Sequence, residues 1–348
     1  MRITHCIYNF DSGGGAENLL IDILNKMCLL NDLQLIVVNN IYDTEMLGRI
    51  DKRVKIITLN RIPGSRTLLP IIKLNLELIK FKPQIVHCHN YTIPSLIFPL
   101  PNLKLFYTIH DLNIPMKYSS RMKCMFAISD AVKEDAERRT KHKIITIPNG
   151  IKVEDVVEKR VFNYEYPFPF KIVNVARLQH EKKGQDILIN AVAKLKEEGL
   201  IVNVDFIGNG PSYDYLQEMV NINNLNNQIR FLGLKDRNYV HKHLCEYDLM
   251  CHPARYEGFG LTVAEGMAAN LPLLVSNDGG PFELIERGHL GAKFKMGDFK
   301  DCAAAIKDIM FNYSKYVSLV SDARTKVLKT YSLDAMVCKY IEEYKHAQ

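Results

Sequence analysis

Residues 248–277 read DLMCHPARYEGFGLTVAEGMAANLPLLVSN. A short apolar run, DLMCHPA, meets a turn holding two glycines. A segment of helical period, GLTVAEGMAANL, follows, and then a second apolar run, PLLVSN. Strands that are apolar on nearly every residue are buried on both faces, and a helix between two of them returns the chain to start a parallel neighbour. This stretch therefore predicts a strand, a crossover helix and a parallel strand.

The same alternation runs through the chain. The first half offers the strand candidates ITHCIYNF, LQLIVVNN, VKIITL, QIVHCH, KLFYTIH, KCMFAIS and IITIPNG, with helices at AENLLIDILNKMCLL, TLLPIIKLNLELIK and DAVKEDAERR. The pattern loosens at FNYEYPFPF, residues 162–170, and restarts with FKIVNVAR, VDFIGNG and IRFLG. Helical segments between these are GQDILINAVAKLKEEG, residues 212–225 and NYVHKHLCEY. The expected fold class is α/β, two doubly wound domains with a ligand cleft where strand C-termini face the gap between them. Boundaries are set at 1–165, 166–331 and a C-terminal helix, 332–348, capped by Ser332 and expected to pack back on the first domain.

At 348 residues, with 47% hydrophobic and 24% charged residues, the chain suits two ordered cores and excludes disorder. Its net charge of +6 is uneven: residues 1–150 carry 20 Lys and Arg against 13 Asp and Glu, and residues 151–348 carry 25 against 26. The basic half suits an anionic partner such as a membrane surface, or equally a scattered solvated face. No basic and aromatic interleaving points to nucleic acid. Eight cysteines without a CxxC pair read as buried thiols of a reducing cytoplasm. The opening MRITHCIYNF has no leader pattern, and no apolar run reaches the roughly 18 residues of a membrane span.

The chemistry gathers around Glu257 and Glu265. Gly258 and Gly260 lie in the turn before a helix, whose first amides lack intrahelical partners and carry about half a positive charge, a ready phosphate site. The two carboxylates flank that site on the order of 10 Å apart, as suits rings on either side of a diphosphate. In ARLQHEKKG, Arg177 closes a strand and Lys183 precedes a helix. With a helix terminus they supply roughly +2.5 against a leaving nucleoside diphosphate near −3, so no metal is expected. The bland alternatives are acids that merely stabilise a helix dipole and a surface pair of cations. His87 and His89 share a strand face, but without a carboxylate at metal spacing they read as strand-end histidines. His241 and His243 read as solvent-facing. GNGPSY, residues 208–213, fails the GxGxxG pattern of a nicotinamide site. TLLPIIKLNLELIKFK suits a core-facing helix, with a membrane-surface helix as the alternative.

E-G-F-G-L-x-x-x-E followed by PLLVSNDGGPFE resembles the donor-site signature of the retaining glycosyltransferases of family 4, which have the two-domain GT-B fold of Rossmann-like halves. GGGAE, PQIVHCH, YTIHD, AISDAV, IPNGI, ARLxxxKKG and FIGNGP occur in the matching order. The resemblance implies that Glu265 binds the nucleotide ribose and that Arg177 and Lys183 bind the diphosphate. Glu257 would face the donor sugar, helped by the amides of Phe259, Gly260 and Leu261 within the 258–262 backbone that includes Gly258 and Thr262. It implies a donor-facing role for His110, a phosphate-side loop at Gly14 and Gly15, and a base site near Gly208, Asn209 and the turn of Leu232, Gly233 and Leu234. Two departures stand out: AANLP replaces A-x-G-x-P, so Asn270 is expected in the left-handed conformation itself, and Arg255 replaces a small residue, adding specificity or covering the rim.

The function expected is transfer of a sugar from a nucleotide donor, UDP-linked, to an acceptor hydroxyl, with retention implied by the resemblance alone. By analogy the acceptor is a bacterial surface polysaccharide or a lipid-linked glycan, met in the cytoplasm at the inner face of the membrane. A sugar-nucleotide epimerase of the same architecture and a silent nucleotide-sugar binding protein remain as alternatives.

Overall fold

The computed structural model describes residues 1–11 and 15–347. Among the described residues thirteen strands form two sheets, and every strand pair in both is parallel. The first sheet comprises β1 (Arg2–Ile7), β2 (Asp32–Asn39), β3 (Lys55–Arg61), β4 (Ile85–Cys88), β5 (Lys104–Ile109), β6 (Cys124–Ala127) and β7 (Ile144–Thr146), in the order β3-β2-β1-β4-β5-β6-β7. The second comprises β8 (Phe170–Val175), β9 (Val202–Ile207), β10 (Ile229–Phe231), β11 (Leu249–His252), β12 (Leu273–Ser276) and β13 (Ala292–Phe294), in the order β10-β9-β8-β11-β12-β13.

Each sheet reverses its strand order once, at β1/β4 and at β8/β11. In open parallel sheets the crevice beyond the strand C-termini at such a point is where ligands bind. The continuous apolar strands produce this arrangement: β4, β11 and β12 are buried on every residue, so helices must cover both faces. The unit quoted above is β11, the helix Leu261–Ala268 and β12, with Met250, Cys251 and His252 registered against Leu273, Leu274 and Val275.

The chain divides into two compact units, Met1–Gly150 with Leu333–Gln348, and Ile151–Ser332. The second unit thus begins fifteen residues before the expected boundary of 165/166. The reason lies in what residues 151–165 touch. Lys159 is 7% exposed and donates to Tyr247 O at 2.6 Å, and Tyr164 packs edge-on against Phe170 and Tyr313, all in the second unit. The looser composition of this segment marks a strap across the second core rather than a linker.

Helix Leu333–His346 lies against helix Gly15–Met27, where Lys26 pairs with Asp334 at 2.7 Å and Tyr340 and Tyr344 are buried beside Phe106 and Phe126. Burying each ring contributes on the order of 1.5–3 kcal/mol. Helix Leu69–Phe81 is two-sided. Leu74, Asn75, Glu77 and Leu78 face inward, while Leu69, Ile72, Leu76 and Ile79 are 45–71% exposed along the opposite face. Exposed Arg66, Lys73, Lys80 and Lys82 accompany them. No described helix is long and apolar enough to cross a membrane.

Candidate functional site

The second unit's site grows from the C-terminal ends of β8 and β11, the strands at its switch point. Beyond β8 the chain passes Arg177 and makes the one-turn helix His180–Lys183; beyond β11 it turns through 253–260. Two glycines permit close backbone approaches to the 253–260 turn, Gly184 from the β8 side and Gly280 from the segment after β12. Gly184, at φ 69°, lies so close to β11's exit that an added Cβ would stand 1.9 Å from Pro253 O. At Gly280 a Cβ would fall 2.4 Å from Phe259 Cα, while its N–H donates to Glu257 O at 3.0 Å. Only a residue without a side chain permits either approach.

The loops are further braced by Arg255. Its guanidinium donates to both oxygens of Asp186 at 2.7 Å and to His180 O at 2.8 Å, and the amides of Arg255 and Tyr256 reach Lys182 O. Asp186 raises the Arg255 pKa. Arg255 is therefore a strut that fixes loop against loop, and neither of the roles expected from sequence describes it.

This scaffold brings Lys183 Nζ onto Glu257 Oε2 in direct contact, with both side chains about four-fifths buried. Burial pushes the Glu257 carboxyl up, but His252 and Lys183 outweigh it and hold the group well below the usual carboxylate range. His252 Nε2 stands 3.6 Å from Glu257 Oε2, too far for a hydrogen bond, and that nitrogen has no hydrogen-bond partner among the described residues. Lys183, at contact distance, is the partner that keeps Glu257 charged. Arg177 is exposed, and its main-chain oxygen accepts from Gln185 Nε2 at 2.9 Å.

Phe259 is buried, and Gly260, at φ 94°, caps the helix Leu261–Ala268. Gly260 O accepts from the amides of Val263 and Ala264, which leaves those of Leu261 and Thr262 without a backbone acceptor among the described residues. Asn270 takes the left-handed conformation, φ 57°, after that helix.

Glu265 is 7% exposed and is held at Oε1 by His241 Nε2 at 3.1 Å and Arg237 Nε at 3.6 Å. His241 is thus buried at 1% exposure, not solvent-facing. The helix Arg237–His243 turns it inward, onto Glu265 of the helix Leu261–Ala268. Gly208 sits against Ala176 O and donates to Gly233 O at 2.9 Å, while Leu178 N reaches Asn209 O, so the 176–178, 208–210 and 233 backbones meet. Leu234, beside them, is 77% exposed.

In the first unit Gly14 lies outside the described residues, and Gly15 is the exposed first residue of its helix. His110 follows β5. It joins a row of stacked imidazoles with His5, His87 and His89. His5, His87 and His89 offer ligand atoms within 4.8 Å of one another, but both nitrogens of His87 are engaged, by Tyr344 OH and by Thr108 Oγ1 at 2.7 Å. Burial pushes His110 down to about 4 and His5 down to about 3.

Sequence reasoning did not single out His5, Arg237 and His252 for the site. His252 had a usable signal, since it ends a parallel strand five residues before Glu257. The Arg237, His241 and Glu265 cluster had none: Arg237 and His241 share one helix face, but only tertiary packing brings that face to Glu265.

The sequence model described as "Glycosyl transferases group 1" matches residues 158–326, and that described as "Glycosyltransferase Family 4" matches 13–155. The chain is 26% identical over 175 residues to the 2-deoxystreptamine N-acetyl-D-glucosaminyltransferase of Niallia circulans, covering 50% of this chain and 44% of that protein. It is 30% identical over 165 residues to the amylovoran biosynthesis glycosyltransferase AmsK of Erwinia amylovora, covering 46% and 40%. These alignments span less than half the length of either relative. The crystal structure of Anabaena Alr3699/HepE in complex with UDP and glucose superposes over 99% of both chains with a TM-score of 0.80 at 19% identity, a likeness of fold.

Proposed function

We propose a function from one premise: the chain belongs to glycosyltransferase family 4, on the GT-B fold. It moves a sugar from a UDP-linked donor to an acceptor hydroxyl, with retention at the anomeric carbon. The observation that carries this reading is the Lys183 contact with Glu257, on the turn that leads to the amides of Leu261 and Thr262, which have no backbone acceptor among the described residues. A cation and two N–H donors suit a diphosphate, and a carboxylate held charged suits the hydroxyls of the adjoining sugar. Bound UDP in the Anabaena neighbour supports the choice of nucleotide.

In this reading the bond from the anomeric carbon to the phosphate oxygen breaks as the acceptor oxygen attacks from the same face. The acceptor's proton passes to the departing phosphate. Arg177, Lys183 and the amides stabilise the charge that develops there, which is the largest contribution such a site offers. Their charge suffices without a metal. Glu265 takes the ribose, and Gly208, Asn209 and the 232–234 turn take the base. Within the first unit, Gly14, Gly15 and His110 keep the donor-side roles that the resemblance implies. The acceptor is a bacterial surface polysaccharide or its lipid-linked precursor, a reading supported by the named role of the Erwinia relative. The exposed apolar and basic face of helix Leu69–Phe81 supports contact with an anionic membrane.

Thermal-shift screening of UDP-, GDP- and ADP-sugars identifies the donor, and NMR of the product gives its anomeric configuration. We expect a UDP-sugar, a retained anomer, undiminished activity in EDTA, and at least a tenfold loss of turnover in Lys183→Ala. Full activity of Lys183→Ala sinks the site, and conversion of donor alone indicates an epimerase instead.

A further inference from the structure

Three imidazoles of the first unit are joined in series. His5 Nδ1 lies 3.0 Å from His89 Nε2, and His89 Nδ1 lies 3.2 Å from His110 Nε2. The series runs outward: His5 is fully buried, His89 is 7% exposed and His110 is half-buried. It sits at the switch point, with His5 on β1, His89 just past β4 and His110 just past β5. His87 belongs to a separate network, spending its two nitrogens on Tyr344 and Thr108, and Thr108 Oγ1 lies 3.1 Å from Tyr340 OH.

Burial keeps all three members neutral at pH 7. A neutral imidazole has one N–H and one lone pair, so the series has two coherent states. In one, every ring carries its proton on Nδ1, each donates outward, and His110 ends with a free Nδ1–H. In the other, every ring carries its proton on Nε2, each donates inward, and His110 ends with a bare Nδ1. The inner end decides between them. His5 Nε2 is buried and has no hydrogen-bond partner among the described residues. The second state would place an N–H there, and orphaned buried N–H groups are rare because nothing replaces the lost water. The first state leaves only a lone pair.

We propose that His5 and His89 are positioning residues that lock His110 in its Nδ1–H tautomer, so that His110 meets its ligand as a hydrogen-bond donor and not as a base. The lock itself stands on the first unit alone. Its consequence for sugar transfer rests on the donor-facing role proposed for His110. A donor there would hold a sugar hydroxyl or phosphate oxygen. The proton of the acceptor would go to the leaving phosphate, with no role for this imidazole as acceptor.

The test uses the full chain labelled with 15N-histidine. Long-range 1H–15N correlation reads each ring's tautomer, with His110 assigned by the signals lost in His110→Asn. We expect His110 protonated on Nδ1 in the wild type and mixed or reversed in His5→Leu. His5→Asn, whose amide N–H can donate from the same place, should restore the wild-type tautomer. A wild-type His110 protonated on Nε2 would overturn the lock even if His5→Leu failed to fold, and so would an unchanged tautomer in a folded His5→Leu. A stoichiometric metal retained by the wild type and lost from His89→Asn would also overturn it, because the lone pairs would then be ligands. With the identified donor, we expect kcat to fall at least tenfold in His5→Leu, KM to stay within about twofold, and His5→Asn to recover most of the loss. A shifted tautomer with unchanged kcat would leave the lock standing and overturn the donor-facing role of His110.

Discussion

Lys183 and Glu257 are each other's partners, and on the proposed function this sets up a competition that a diphosphate must win. On that reading a bound phosphate would draw the ammonium away from the carboxylate, and the carboxylate itself would repel the incoming anion. Removing the charge while keeping the shape separates the two roles of Glu257. In Glu257→Gln, Lys183 is released and the local potential becomes more positive, so UDP should bind about threefold or more tighter. Turnover should nonetheless fall tenfold or more, because the charged group proposed to face the sugar is gone. Calorimetry with UDP and initial rates with the donor check the pair of outcomes; weaker UDP binding would show that the carboxylate is not competing for Lys183. The lowered carboxyl pKa has the matching consequence that Glu257 stays ionised through ordinary acid conditions and loses its charge only well below the usual carboxylate range.

Turn 253–260 works because a second loop is clamped beneath it. Gly280→Ala would drive a Cβ into Phe259 Cα and Gly258 O, both backbone atoms that cannot rotate away. We expect a loss of about 1–3 kcal/mol in urea unfolding, in line with overpacking, together with at least a tenfold weaker donor in calorimetry. Gly48→Ala, at a helix end with nothing within 4 Å, serves as the control that leaves donor binding unchanged. At this scale the limits of sequence reading are visible. The seven strands of the first sheet were legible because each is an apolar run between turn residues. In the second sheet β13 was not, since its three residues, Ala-Lys-Phe, alternate in burial and give no run. Glu257, Lys183 and the glycines announced themselves by local spacing along the chain. The Arg255 strut, the His241 support of Glu265 and the series through His5 did not, because each joins residues from separate elements that only the folded sheet brings together.

Two properties of the first unit belong to its assembled fold and to no single element. Helix Leu69–Phe81 combines an exposed Leu69, Ile72, Leu76 and Ile79 stripe with exposed basic neighbours. Ile72→Ser with Ile79→Ser should reduce co-sedimentation with vesicles of one-third anionic lipid by about half or more, with activity on a soluble acceptor unchanged. The histidine core gives a second whole-molecule prediction. His5, His87, His89 and His110 are held neutral by burial, against an ordinary value near 6.5. They face one another, Thr108, Tyr340 and Tyr344, and Asp111, the nearby acid, offsets only part of the effect on His110. Above pH 6.5 neither the folded nor the unfolded chain protonates them. As pH falls from 6.5 toward the folded values, about 4 for His110 and about 3 for His5, the unfolded chain takes up protons that the folded chain refuses. Stability then falls with pH, with a slope approaching four protons from this cluster alone. The urea midpoint followed by circular dichroism should drop steadily from pH 7 to pH 5. A midpoint that stays level across that range would mean that these rings accept protons without unfolding the chain.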